Sequence, residues 1–71
     1  MELNYISIGN RIAELRKKAG INQEKLAEIL AISTTHLSRL ENGKVGFSKE
    51  LLLDMCMALE TSSDYILIGM R

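Results

Sequence analysis

The residues whose types best suit ligand recognition lie between positions 34 and 39. They are three short hydroxyl side chains and one arginine: Thr34, Thr35, Ser38 and Arg39. Helical spacing places all four on the outer face of one short helix. Hydroxyls form single hydrogen bonds, whereas a guanidinium donates two in parallel, and both groups can read base edges in the major groove of DNA. The segment therefore predicts a surface that contacts DNA bases.

Two short helices joined by about three residues must position this surface. They occupy residues 22–43, which read NQEKLAEILAISTTHLSRLENG, with Asn22 and Ser33 as expected N-caps. The small side chain of Ala27 allows the second helix to cross close to the first. The expected inward-facing residues are Leu26, Ala27, Ile29, Leu30, Leu37 and Leu40. Two helices arranged in this way form a helix-turn-helix.

Helical spacing continues on both sides of this motif. The expected caps and terminators of the other three helices are Ser7, Gly20, Ser48, Ser62 and Gly69. No stretch alternates apolar and polar residues as a half-buried strand does. The sequence thus predicts an all-α fold, a single compact five-helix domain over residues 1–71, with helices four and five at about 48–69.

The composition excludes several classes of protein. The chain has 71 residues, of which 46% are hydrophobic and 25% are charged, as in an ordinary globular domain. One cysteine cannot form an internal disulfide, and with one histidine it leaves too few ligands for structural zinc. No apolar stretch reaches the roughly 18 residues of a membrane span. We therefore expect a cytoplasmic protein without a metal, a cofactor, a small-molecule ligand or a membrane contact.

The charges are unevenly distributed along the chain. Nine basic and nine acidic residues give a formal net charge of zero, which argues against a strongly basic nucleic-acid binder. However, residues 1–20 contain four basic and two acidic residues, whereas residues 47–71 contain two basic and four acidic residues. A chain whose N-terminal part is basic and whose C-terminal part is acidic can orient on a polyanion although its net charge is zero.

Residues suited to catalysis do not occur in useful combinations. The sequence offers no P-loop, no glycine-rich phosphate turn and no serine–histidine–acid set that a five-helix cluster can assemble around His36. So short a helical chain also leaves little room for a substrate pocket. We therefore expect no enzymatic activity.

Four segments in order resemble the phage-repressor-like (XRE/Cro) helix-turn-helix domains of bacterial transcriptional regulators. They are IGNRIAELRKKAG, NQEKLAEIL, the ENGK that follows Leu37 and Leu40, and SSDYIL. The resemblance extends from residue 8 to about residue 69 and includes nearly the whole chain. It implies a compact five-helix domain that contains a helix-turn-helix and binds double-stranded DNA.

The resemblance also implies a role for each residue that matches the family's pattern. The base-facing positions of the recognition helix correspond to Thr34, Thr35, Ser38 and Arg39. The positions that hold the DNA backbone correspond to Asn22, Gln23, Asn42 and Lys44, and we place His36 beside a phosphate as well. A partly buried ion pair that aims the recognition helix corresponds to Arg16 and Glu41. The segment that contributes to dimer contacts provides Tyr65, Ile66, Ile68 and Met70.

Two positions depart from the family's pattern. Ala31 stands between the motif's helices, where the family usually has glycine because the backbone tends toward positive φ. Glu60-Thr61 replaces a glycine-containing end after helix four. Neither departure lies on the base-reading face, so the expected consequence is a local cost of roughly 1 kcal/mol at Ala31.

Together, these features predict a sequence-specific DNA-binding transcriptional regulator. A single copy offers too few contacts for useful specificity, so we expect a homodimer that reads a palindromic operator as a repressor, with half-sites roughly 34 Å apart. The alternative is a protein-interaction module on the same scaffold, similar to an antitoxin or an anti-repressor partner. Zero net charge favours this alternative, whereas the polar outer face of the recognition helix favours DNA.

Overall fold

In the computed structural model, which describes residues 2–70, the chain folds into five helices. They are α1 (Tyr5–Lys18), α2 (Gln23–Leu30), α3 (Thr34–Glu41), α4 (Lys49–Ala58) and α5 (Ser63–Ile68). Residues 2–70 contain no strand, and the predicted all-α fold with five helices is confirmed. Across the same residues, no helix combines the length and apolarity that crossing a bilayer demands.

Each helix begins at a side chain that accepts a hydrogen bond from the backbone N–H three residues further on. Four of these N-caps are the predicted ones: Asn22, Ser33, Ser48 and Ser62. The prediction for the first helix is wrong, because Asn4 and not Ser7 is its N-cap. Asn4 Oδ1 accepts from the Ser7 N–H at 3.0 Å, so α1 begins just after Asn4 and gains part of a turn.

The apolar core lies where the five helices meet. It consists of Ile8, Ile12, Leu26, Ala27, Leu30, Leu37, Leu40, Leu51, Met55, Leu59 and Ile66. The prediction that Ile29 faces inward is wrong, because half of its surface is exposed. It lies about 60° around α2 from Leu26 and about 100° from Leu30, on the flank of the buried stripe. Cys56 is half-buried, and burial raises the pKa of its thiol, which therefore stays protonated at neutral pH.

Helix α3 crosses α1 at very short range. The crossing point is Gly9, a buried residue in the second turn of α1. A Cβ at this position would overlap the backbone oxygens of Leu40 and Glu41 at the end of α3. Glycine is therefore required at position 9 by close packing of two backbones, although it is a poor helix former. The pattern of residue types in the sequence does not reveal this packing role.

A buried ion pair joins the same two helices. Arg16 of α1 donates from Nε to Glu41 Oε2 at 2.7 Å and from Nη2 to Glu41 Oε1 at 3.2 Å. The side chains are 11% and 5% exposed. A third guanidinium nitrogen, Nη1, donates to the carbonyl of Ile21 at 3.0 Å. The two residues that the resemblance paired thus meet in a forked, desolvated contact that holds the end of α3 against α1 and the α1–α2 turn.

The turn between α2 and α3 contains a non-glycine residue in the left-handed region. Ala31 has φ 57° and ψ 40°, and its N–H donates to Glu28 at 3.1 Å to end α2. Glu60, at the other departure from the family pattern, has φ 52°. Ala31 and Glu60 therefore occupy positions where the backbone conformation favours glycine.

Replacing Ala31 with glycine is expected to stabilise the fold. An L-residue in the left-handed region costs about 1–2 kcal/mol, and the greater freedom of glycine in the unfolded chain returns about 0.4–1 kcal/mol. The free energy of unfolding of Ala31→Gly, measured by urea denaturation, should rise by about 0.5–1 kcal/mol. Ala19→Gly is the matched control, because Ala19 has ordinary helical angles and its replacement should lower stability. A decrease in both variants would contradict the assigned strain.

Removing the carboxylate of the buried ion pair is expected to destabilise the fold strongly. Glu41→Ala leaves the Arg16 guanidinium desolvated without its acceptor, which costs about 3–5 kcal/mol. Denaturant unfolding measures this decrease in the free energy of unfolding. A variant that is already unfolded without denaturant would represent the largest decrease. Glu28→Ala is the control, because Glu28 pairs with Lys25 at 3.7 Å on the exposed surface and should change stability little. Equal losses in the two variants would show that burial does not strengthen the pair.

Candidate nucleic-acid interface

The outer face of α3 carries the four residues predicted to contact bases, and most of it is open to solvent. Thr34, Thr35 and Arg39 are exposed, and Ser38 is half-buried. On the opposite side, Leu37 and Leu40 are fully or almost fully buried. α3 is thus held by its apolar side while its polar side faces outward, as a helix that enters a DNA groove must be.

The hydroxyl of Ser38 has its acceptor side occupied by Asn42. Asn42 Nδ2 donates to the carbonyl of Ser38 at 2.8 Å and approaches Ser38 Oγ at 3.4 Å. The Ser38 O–H remains able to donate, so it suits an acceptor on a base edge. Asn42, predicted to hold the DNA backbone, ends α3 in this structure and uses its amide nitrogen to do so.

Two amide side chains lie at the start of α2. Asn22 is exposed, and its Oδ1 accepts from the Lys25 N–H at 2.8 Å, which leaves its amide nitrogen as the unused end. Gln23 is half-buried, and its Nε2 donates to Glu41 Oε1 at 2.9 Å. Because a carboxylate only accepts, Glu41 fixes the nitrogen end of the Gln23 amide toward itself. The same nitrogen carries a second N–H that can donate to a phosphate.

Two further predicted backbone contacts lie on and after α3. His36 is half-buried in the first turn of α3, where its backbone N–H donates to Ser33 Oγ at 3.0 Å. Lys44 is exposed in the loop after α3, and its backbone N–H donates to the Arg39 carbonyl at 2.9 Å. The loop thus folds back on the last turn of α3 and carries the exposed positive charge of Lys44.

The predicted dimer segment divides between the core and the surface. Ile66 has no exposed surface, so the expectation that it contacts a second copy is corrected: its side chain packs inside one copy. Tyr65 is half-buried, and its hydroxyl donates to Glu14 Oε1 at 2.9 Å. Ile68 and Met70 are 37% and 62% exposed and are the apolar side chains of this segment that face outward.

A basic residue of α1 that no motif in the sequence singles out binds the end of α5. Arg11 of α1 donates from Nε to the carbonyl of Ile66 at 2.9 Å and from Nη2 to the carbonyl of Leu67 at 3.0 Å. Its partners are backbone atoms more than fifty positions away along the chain. No pattern of residue types can reveal such a contact before the fold is known.

Comparison with protein families and known structures agrees with this geometry. The helix-turn-helix family HTH_3 matches residues 12–66. The chain is 36% identical over 62 residues, 87% of its length, to the HTH-type transcriptional regulator ImmR of Bacillus subtilis, of which it covers 49%. It is 40% identical over 55 residues, 78% of its length, to the antitoxin PezA of Streptococcus pneumoniae, of which it covers 35%.

A solved structure extends the likeness to three dimensions. The P22 c2 repressor in complex with the synthetic operator 9T superposes with a TM-score of 0.84 at 35% identity, over 89% of this chain and 96% of that one. The curated relatives are longer, and the chain spans between 31% and 57% of their lengths. The family match over most of the chain confirms the resemblance to phage-repressor-like domains, and the chain belongs to the helix-turn-helix family HTH_3.

Proposed function

We propose that this chain is a sequence-specific DNA-binding transcriptional regulator. More specifically, it acts in the cytoplasm as a homodimeric repressor on a palindromic operator. The observation that carries the proposal is the polar outer face of α3, exposed on one side and held from behind by the core and the Arg16–Glu41 pair. The likeness to the P22 c2 repressor, whose structure includes an operator, supports the same use of this fold.

In the proposed complex, α3 lies in the major groove with its N-terminal half nearest the bases. Arg39 donates two parallel hydrogen bonds to O6 and N7 of a guanine. Thr34 and Thr35 offer methyl groups to thymine and hydroxyls to base acceptors, and the free O–H of Ser38 donates to a further acceptor. These four residues supply the preference for one sequence over another.

The DNA backbone is held by residues around α3. The N–H groups at the start of α2 lie beside the amides of Asn22 and Gln23, and together they present donors to one phosphate. Lys44 supplies a positive charge on the loop after α3. His36 and Asn42 lie beside the sugar-phosphate backbone of the DNA. These contacts fix the position of α3 in the groove without reading sequence.

A second copy completes the operator contacts in this proposal. Two copies related by a two-fold axis place their recognition helices about one helical turn, roughly 34 Å, apart. Ile68 and Met70 provide the exposed apolar surface for the contact between copies. Beside Tyr65 lies a shallow cleft of about 290 Å³, bounded by α1 and the α4–α5 turn, which offers a recess for side chains of the second copy.

A protein-interaction module is the second candidate function. The likeness to the antitoxin PezA and the zero net charge favour it, as do Leu53 and Met57, both more than half exposed on α4. Salt separates the two functions. An affinity that depends on several phosphate contacts falls steeply with salt, with a log–log slope of about −0.9 per phosphate, whereas association through α4 would depend on salt only weakly.

Arg39→Ala tests the base-reading role. The loss of a bidentate contact should weaken binding to the preferred duplex by about 1–3 kcal/mol and relax the preference at one base pair. Fluorescence anisotropy with duplexes that carry every single base-pair substitution measures both effects. Lys49→Ala is the charge-matched control, since Lys49 is exposed at the start of α4 and its loss should leave base preferences unchanged. An unaltered preference in Arg39→Ala would remove this residue from the reading surface.

Gln23→Ala tests the phosphate role. Because a phosphate contact is common to all sequences, binding should weaken by about tenfold on preferred and unrelated duplexes alike. The comparison is made at a temperature where circular dichroism shows the variant to be folded, since the substitution also removes the hydrogen bond to Glu41. A loss confined to one sequence would instead assign Gln23 to base reading.

A further inference from the structure

Arg11 connects α1 to the last turn of α5 through a planar fork. Two donors of one guanidinium, Nε and Nη2, bind the consecutive carbonyls of Ile66 and Leu67 at 2.9 and 3.0 Å. α5 has only six residues, and the carbonyls of its last turn have no partner within the helix. A fork that binds two of them fixes both the distance and the angle of α5 relative to α1.

The chain turns around this guanidinium as it leaves α5. Gly69 ends the helix with φ 73°, and its N–H donates to the Tyr65 carbonyl at 2.9 Å. A Cβ at Gly69 would lie 3.3 Å from Arg11 Nη1, so the backbone passes close to the guanidinium. The exposed side chains of Ile68 and Met70 flank this turn, and their direction therefore depends on Arg11.

Helix α1 also fixes the orientation of α3. Gly9 packs against the backbone at the end of α3, and Arg16 binds Glu41. Arg11 lies between these two positions, within about 10 Å along the axis of α1. α1 is thus a rigid connection, with contacts to the recognition helix and a fork that holds the segment proposed to contact a second copy.

We propose that Arg11 is a positioning residue that sets the spacing between half-sites accepted by the dimer. This inference rests on the proposed function, because it requires a homodimer joined through Ile68 and Met70. Without the fork, α5 stays attached through the buried side chain of Ile66, but its angle to α1 is no longer fixed. The two recognition helices then adopt a range of separations in place of one.

The test compares the dependence of affinity on half-site spacing in the wild-type chain and in Arg11→Met. Duplexes carry two identical inverted half-sites with centre-to-centre distances from about 9 to about 13 base pairs, changed one base pair at a time. The wild-type chain should prefer one spacing over its neighbours by about tenfold or more. Arg11→Met should reduce this preference to about threefold or less, while the affinity for a single half-site and its base preferences stay the same.

Two further variants make the result specific. Lys17→Met removes one positive charge from an exposed position of the same helix and should keep the wild-type spacing profile. Arg11→Lys retains the charge near the end of α5 but not the planar fork, and should flatten the profile partly. Arg11→Lys alone carries the test if circular dichroism shows that Arg11→Met does not fold.

The outcomes separate this inference from the proposed function. A folded Arg11 variant with the wild-type spacing profile overturns the positioning role and leaves the homodimer intact, as does an equal loss of affinity at every spacing. A wild-type chain that shows no spacing preference, or that binds a two-site duplex with no gain over one site, overturns the homodimer and this inference with it.

Discussion

The buried ion pair between Arg16 and Glu41 is the interaction on which the rest of the site depends. Two charges removed from water are stable only when their hydrogen bonds are made, and here Arg16 donates to both carboxylate oxygens and to the Ile21 carbonyl. Glu41 also accepts from Gln23. One carboxylate therefore joins α1, the start of α2 and the end of α3, and it links the face proposed to read bases to the amide proposed to hold a phosphate.

Local arrangement of charge explains how a neutral chain can be suited to a polyanion. The outer face of α3 and the loop after it present Arg39 and Lys44, while the excess of acidic residues lies after position 46. Glu41, the acidic residue at the end of α3, is neutralised internally by Arg16. Phosphate contacts depend on the hydrogen-bond donors that face the DNA and on the absence of negative charge from that face. The net charge of the whole chain describes neither of these.

The sequence predicted most of the fold because local signals repeat at every helix. Four cap residues and the pairing of Arg16 with Glu41 could be named in advance, and Ala31 adopts the left-handed conformation expected of its position. The start of α1 was predicted three residues too late, at Ser7, because serine and asparagine both cap helices and the apolar pattern does not fix where the helix begins. Ile29 and Ile66 were assigned to the wrong surroundings because residue type does not reveal what a helix packs against. Gly9 and Arg11 were missed because their partners are backbone atoms of distant helices.

Selection of bound sequences from a random duplex library at near-physiological salt tests whether α3 reads DNA. We expect recovery of an inverted repeat whose half-site centres lie about one helical turn apart, with one guanine in each half-site that depends on Arg39. Recovery of no preferred sequence, from a preparation that circular dichroism shows to be folded and helical, would contradict the claim that α3 reads DNA.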